Sequence, residues 1–248
     1  MSLTARDESL VELMDDPACD PVRLAATLRR FTVVNRLVSG WGTVYRTTLG
    51  PSLAGLGRPA RVLDLGSGGG DVVVRLAARA RRDGLDVHWT GAEPDERAHR
   101  VALARGADDA IEFRCDDAAA LLRAGESFDA VISNHVLHHL GPELPAFAAA
   151  SRALSRGLVL HSDIARGRLA YTLYSAGAAP LAPGTFLLTD GLRSIRRSFT
   201  PAELQAALGQ DDPGAWRVAR PVPFRLLAVA GRGAGVGAEP ESAAGASG

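Results

Sequence analysis

Between Arg61 and Asp163 the chain alternates two hydrophobic patterns. Short β-rich runs, RVLDL, VHWTGA, IEFRC, FDAVIS and GLVLHSDI, are separated by segments that read as helices over 72–82, 95–105, 118–123 and 142–154. Runs this short and this continuously apolar suit strands covered on both faces, so the alternation predicts an α/β fold around a parallel sheet. Before it, residues near 9 to 56 read as helical. Asp20 and Pro21 form an N-cap and first-turn pair, and an apolar stripe follows at Leu24, Leu28, Phe31, Val34, Leu37, Val38, Trp41 and Tyr45. That stripe is either ordinary core or a helical cap over a pocket.

After Asp163 the alternation lapses. An insertion near 166–199 contains an uncharged run, Leu169 to Thr189, long enough to raise the question of a membrane span. Gly177, Pro180, Pro183 and Gly184 would break such a helix, which leaves a lid or pocket wall and no stable membrane insertion. A helix begins near Thr200, with Pro201 at its first position and Glu203 completing a capping box. AWRVARPV and FRLLAVAG predict an antiparallel pair at a sheet edge. The expected organisation is a helical cap over 1–56, an α/β domain over 57–231, and a Gly, Ala, Ser and Pro-rich tail over 232–248 that is disordered.

Composition narrows the partners. In 248 residues, 28 acids balance 28 bases, so no field draws the chain to nucleic acid or an anionic membrane, and a small neutral partner fits better. Every base is arginine, and without lysine neither P-loop nor Schiff-base chemistry is open. Cys19 and Cys115 lie far apart without metal-ligand spacing, and the first residues lack the apolar core of a signal peptide. A reducing cytoplasm is the expectation.

The stretch VLDLGSGGGDVV carries the first chemical signal. Its glycines fall at Gly66, Gly68, Gly69 and Gly70, but Asp71 stands where a dinucleotide-binding turn requires its last glycine. A carboxylate at the start of a helix repels phosphate, so the expected ligand is unphosphorylated. Asp64 suits an ammonium group, Glu93 at the end of the second strand suits ribose hydroxyls, and Asp117 suits an adenine amino group. A ligand with amine, ribose and adenine but no phosphate is S-adenosylmethionine.

These segments, D-L-G-S-G-G-G, the acid at Glu93, D-A-A-A-L at Asp117 and F-D-A-V-I-S-N-H-V-L-H-H-L, resemble the ordered motifs of class I S-adenosylmethionine-dependent methyltransferases over about residues 58–165. The resemblance implies a Rossmann-like seven-stranded sheet of order 3-2-1-4-5-7-6, with strand 7 antiparallel. It also implies a donor site built from Asp64, Gly66, Gly68, Gly70, Glu93, Pro94, Asp116, Asp117, Ala118, Ser133 and Asn134. Asp116 fills a place where the family often has glycine, so the adenine contact falls to either Asp116 or Asp117.

Four histidines, His135, His138, His139 and His161, follow the fourth and fifth strands, where open α/β sheets hold ligands. His135 and His139 are spaced i,i+4 but lack the glutamate of H-E-x-x-H and a distinctive third ligand, so no metal is expected. A neutral imidazole can take the proton of a phenol or alcohol, and Asp163 could orient it. Resemblance to small-molecule O-methyltransferases implies His139 as base, His138 as its rival and Asp163 as orienter. His135 and His161 would lie near the acceptor with Tyr171, although His161 suits a satisfied core position equally well.

DGLRSIRRSFTPAEL and LMDDPACDPVRLAATLRRFTVVNRLVSGW also resemble bacterial methyltransferases of polyketide and quinone tailoring, which implies an aromatic or polyketide-like acceptor walled by Tyr171, Tyr174, Phe186 and Leu187. Arg193, Arg196 and Arg197 either steer an acidic acceptor group or form a solvated face. O-methylation of a small phenolic molecule leads. C-methylation, a cyclase retaining the same cofactor and a noncatalytic binding subunit stand as alternatives, in a monomer or homodimer. Nucleic-acid methylation is disfavoured, because Ser133-Asn134-His135-Val136 replaces the N-P-P-[YFW] amine site.

Overall fold

A computed structural model describes residues 3–105 and 109–231; the tail expected to be disordered, 232–248, lies outside the described residues. The strands are β1 (Ala60–Leu65), β2 (Val87–Ala92), β3 (Ile111–Arg114), β4 (Phe128–Asn134), β5 (Ser155–Ile164), β6 (Arg217–Ala219) and β7 (Arg225–Gly231). They form one sheet in the order β3-β2-β1-β4-β5-β7-β6, in which β7 runs antiparallel to both neighbours. Expected order, reversed strand and edge hairpin are all present.

Alternating side chains of the central strands feed two cores, as period-two pleating requires. Val62, Ala130, Ile132 and Leu160 face helix α4 (Asp71–Arg82). Leu63, Leu65, Val131 and Val159 face the opposite layer of α6 (Ala118–Arg123), α7 (Leu144–Leu154) and α10 (Pro201–Leu208). Trp41, Val44, Tyr45, Leu49 and Leu53 complete the first core, and α5 (Glu96–Leu103) packs through Ala98 with Leu24, Leu28 and Phe186. In α10 the Thr200 hydroxyl accepts from the Glu203 amide while the Glu203 carboxylate accepts from the Thr200 amide, the reciprocal cap read from sequence.

The N-terminal reading needs one correction. Helix begins only at Pro21, in α1 (Pro21–Val38), where the Asp20 carboxylate accepts from the amides of Val22 and Arg23. The chain turns at Gly40 into α2 (Trp41–Val44), a π-helical turn (Tyr45–Leu49) and α3 (Gly50–Ala54). Gly40 has φ +74°, and a Cβ there would meet Val222 Cγ2 at 2.7 Å. Residues 3–20 are irregular apart from a 3₁₀ turn, Leu13–Asp15, because their backbone finds tertiary partners instead of helical ones. The amides of Leu13 and Met14 donate to the Asp190 carboxylate, and the Asp7 amide donates to the Arg196 carbonyl.

Those partners belong to the insertion, which forms α8 (Arg168–Ala178) and α9 (Leu187–Arg197). The insertion also touches α1, since the Phe186 amide donates to Thr27 Oγ1 and Phe186 packs with Leu24 and Leu28. Among the described residues no helix is long and apolar enough to cross a membrane.

Candidate active site

Strands β1, β4 and β5 end at a cavity of about 800 Å³. Its floor is the glycine turn after β1, its walls are α1, α8 and α9, and Asp64, Gly66, Gly68, Asn134, His135, His138 and His139 all line it. Sequence reasoning thus brought seven of its site residues to one space. The turn depends on left-handed backbone at Gly66, Gly68 and Gly70 (φ +69°, +55° and +75°). At Gly70 an added Cβ would also lie 2.5 Å from Phe113 Cζ, so the absence of a side chain lets the ring of β3 cover the start of α4.

Asp64 is only 1% exposed, and its Oδ1 has no hydrogen-bond partner. Burial, then the neighbouring Asp71 and Glu93, hold its carboxyl well above the usual carboxylate range. A cation arriving in the cavity would supply the partner this acid lacks. Asp71, read from sequence only as a group that repels phosphate, has a structural use as well: its carboxylate accepts from Asn35 Nδ2 at 3.1 Å, tying α4 to α1. Glu93 braces the turn, its Oε2 accepting from the Gly68 amide at 2.8 Å and its Oε1 from the Asp95 amide at 3.0 Å.

Several expected site residues lie outside the cavity lining. Gly70, Glu93, Pro94, Asp116, Asp117, Ala118 and Ser133 do not reach it. Asp117 caps α6 through the Ala120 amide at 2.7 Å, and Asp116 pairs with Arg114 at 2.7 Å. Ser133 is fully buried and hydrogen-bonds His161 Nδ1 at 2.8 Å. His161 occupies the core position: its ring lies 5.4 Å from that of Trp216 and 5.1 Å from that of Phe147, and burial pulls its pKa down to about 3. Tyr171 is likewise absent from the lining, whereas Tyr174 is present, its hydroxyl donating to the Leu187 carbonyl at 2.8 Å.

The histidine cluster departs from the expected pairing. Asp163 is buried and holds His138, not His139: its Oδ1 lies 2.7 Å from His138 Nδ1, and its Oδ2 accepts from the His138 amide. His138 Nε2 reaches Glu12 Oε1 at 3.2 Å. Burial opposes the charge on this imidazole, but Asp163 and Glu12 outweigh it and raise the pKa to about 9. His139, with a side chain 30% exposed, has Nδ1 3.2 Å from Asp15 Oδ2 and Nε2 3.7 Å from Glu12 Oε1. His135 Nε2 lies 2.9 Å from Arg225 Nη1. Because a guanidinium only donates, this places the His135 proton on Nδ1, and burial and then Arg225 drive its pKa well below the ordinary value.

Sequence reasoning missed Glu12, Asp15 and Arg225. The first two come from a segment read as helix, and the only trace was a cluster of acids, Glu12, Asp15 and Asp16, ahead of the Asp20 cap. Arg193, Arg196 and Arg197 fasten that segment: Arg196 pairs with Asp7, Arg193 donates to the Val11 carbonyl, and Arg197 lies 3.5 Å from Asp15. Glu12 reaches His138 and His139 and not the i,i+4 pair His135 and His139, whose members share no carboxylate among the described residues. Two triads, Glu12/His138/His139 and His135/His138/Asp163, bring potential metal-ligand atoms within 4.8 Å of one another. In this structure their contacts are imidazole–carboxylate pairs, the Ser194 hydroxyl, which donates to Glu12 at 2.6 Å, and Arg225, which donates to His135.

Residues 62–157 match the family model described as a methyltransferase domain. Two curated relatives are "Ubiquinone biosynthesis O-methyltransferase" of Brucella ovis, 31% identical over 157 residues (61% of this chain, 59% of that protein), and that of a Ruegeria species, 32% identical over 153 residues (60% and 58%). The chain therefore spans under two thirds of the length of these relatives. Among solved structures, human N-acetylserotonin methyltransferase in complex with SAM superposes with TM-score 0.60 at 14% identity, over 86% of this chain and 56% of that one. The plantazolicin methyltransferase BpumL in complex with a triazolic desmethylPZN analog and SAH superposes with TM-score 0.58 at 12% identity, over 88% and 95%. With its sheet order, its glycine turn and the match of residues 62–157 to a methyltransferase domain, the chain has the fold of class I S-adenosylmethionine-dependent methyltransferases.

Proposed function

We propose that this protein is an S-adenosylmethionine-dependent methyltransferase that O-methylates a small phenolic or polyketide-like acceptor. The observation that carries the reading is Asp64, a buried acid on the floor of the cavity with an oxygen that has no partner. The ammonium of the donor's methionine part provides that partner. Glu93, already tied to the turn, has lone pairs left for the ribose hydroxyls, and Asp116 or Asp117 takes the adenine amino group. Gly66 and Gly68, which line the cavity, let the nucleoside approach the main chain; Asn134 shapes the remainder of the donor site, with Pro94 and Ala118 beside it, whereas Gly70 is covered by Phe113 and Ser133 is buried against His161.

When bound, the donor supplies a methyl group activated by a sulfonium. The protein's task is to align the acceptor oxygen with it, exclude water and remove a proton. His139 Nδ1 lies 3.2 Å from Asp15 Oδ2, so a proton shared with that carboxylate would leave Nε2 as the base. His138, flanked by two carboxylates, is already protonated at neutral pH and positions its neighbour, while Asp163 acts through His138. The names of the ubiquinone O-methyltransferase relatives support oxygen over carbon as the methylated atom. Apolar walls from Phe31, Val34, Leu173, Ile195 and Phe224 suit an aromatic acceptor.

The test is calorimetry with S-adenosylmethionine, followed by turnover with a panel of hydroxylated aromatics while S-adenosylhomocysteine and product mass are tracked. Binding together with a product heavier by one methyl group on oxygen is the expected result. Absence of binding overturns the reading, and a methyl group found on carbon corrects the reaction.

A further inference from the structure

Arg225, at the start of β7, lines the cavity yet is only 2% exposed. Burying a guanidinium is costly unless an anion compensates it. Here its hydrogen bonds go to neutral acceptors: Nη1 to His135 Nε2 at 2.9 Å, and Nη2 to Asn134 Oδ1 at 2.9 Å and Ser162 Oγ at 3.0 Å. Nε has no partner. The anion nearest in effect, Asp163, is already engaged with His138. Of the five N–H donors of a guanidinium, the one on Nε and a second on Nη1 remain unused.

Backbone strain converges on the same side chain. Among the described residues, His135 (φ +62°) and Phe224 (φ +63°) are the non-glycine residues in the left-handed region. The first hydrogen-bonds Arg225 and the second precedes it. Gly40, also left-handed, approaches from the other side, and a Cβ there would lie 3.8 Å from Arg225 Cγ. Strained non-glycine residues persist where the surroundings over-determine them, and they cluster at ligand clamps.

We propose that Arg225, held by Asn134 and His135, is a subsite inside the cavity for a ligand carboxylate. This rests on the methyltransferase reading for what enters the cavity, and it adds a chemical requirement that the reading does not contain. The carboxylate comes either from the methionine part of the donor or from an acidic acceptor. Arg193, Arg196 and Arg197, the sequence candidates for an acidic group, are engaged with the N-terminal segment, and Arg225 takes over that role.

The experiment compares ligand pairs that differ in the carboxylate, on wild type and on Arg225→Met. The first pair is S-adenosylhomocysteine and its decarboxylated analogue. If the donor supplies the anion, wild type prefers the intact ligand by about tenfold or more and Arg225→Met binds both alike. The second pair is benzoate and benzamide, titrated with and without saturating S-adenosylhomocysteine. If the acceptor supplies the anion, benzoate binds wild type in preference to benzamide and that preference is lost in the variant. A wild type that discriminates in neither pair overturns the proposal without any variant. Discrimination retained in full by a folded Arg225→Met also overturns it; should that variant not fold, full retention by Arg225→Lys does the same. Failure of wild type to bind either adenosyl ligand overturns the methyltransferase reading instead, and the benzoate pair still judges Arg225.

Discussion

His138 and Asp163 form a buried ion pair, Nδ1 to Oδ1 at 2.7 Å, and the far nitrogen of the same ring reaches Glu12 at 3.2 Å. The end of β5, the 3₁₀ turn Leu137–His139 and the N-terminal segment are thereby joined through one imidazole. Removing the ring leaves two buried carboxylates facing each other without a cation. His138→Gln is therefore expected to cost about 3 kcal/mol of stability, read by urea unfolding; a loss under about 0.5 kcal/mol, the size of an ordinary surface change, would refute the coupling.

The same pair sets a pH dependence with a defined sign. The folded pKa of His138, about 9, lies above the ordinary value. Its stabilisation is complete below about pH 6.5, the unfolded value, and is lost as pH rises through about 9. Asp163 and Glu12 are depressed, so their contribution is present above the unfolded carboxylate range and is lost on acidification. Melting temperature should fall between about pH 6.5 and 9 in wild type, and that fall should be shallower in His138→Gln. Parallel profiles for the two proteins would place the titrating group elsewhere.

His139→Ala is expected to lower turnover by about 10²-fold or more, the usual contribution of a general base, with S-adenosylhomocysteine affinity unchanged by calorimetry. Unchanged turnover removes His139 from the chemistry.

Asp64→Asn is expected to weaken S-adenosylhomocysteine binding by about tenfold or more without loss of melting temperature, since it replaces a buried acid with a neutral isostere. Wild type carries a raised Asp64 carboxyl that must ionise to pair with an ammonium, so binding should release a proton. Calorimetry in buffers of different ionisation enthalpy should then give different apparent enthalpies for wild type and converging ones for Asp64→Asn. Buffer-independent wild-type heats would contradict this.

Gly70→Ala combines a left-handed φ of +75° with a Cβ placed 2.5 Å from the Phe113 ring. A loss of about 1–3 kcal/mol is expected in urea unfolding. In a Phe113→Leu background the added loss should shrink, because the clash is relieved and only the backbone cost remains; an undiminished loss would mean that the ring is not the obstacle.

Glu93 and Asp117 illustrate how far local pattern reaches. Their places after the second and third strands marked them as ligand-binding acids. In the fold Glu93 holds the Gly68 amide, 25 residues away, which no local pattern predicts, and Asp117 caps α6, a role that local spacing predicts equally well. Ser133 and His161 point into the helical layer around Phe147 and Trp216, which a one-residue step along a strand is enough to bring about.

The alternation of strand and helix, the glycine turn with Asp64 at its base, and the cluster of histidines after the fourth strand were all legible in the chain. Each rests on contacts a few residues apart: pleating, helix periodicity, a backbone turn that only glycine accommodates. Glu12 and Asp15 on the histidines, Asp163 on His138 in place of His139, and Arg225 beside Asn134 depend on residues 25 to 127 positions apart. Such pairings leave no periodic trace. They exist because an N-terminal segment gave up its own helical hydrogen bonds for those of α9, and because β7 enters the sheet reversed beside β5.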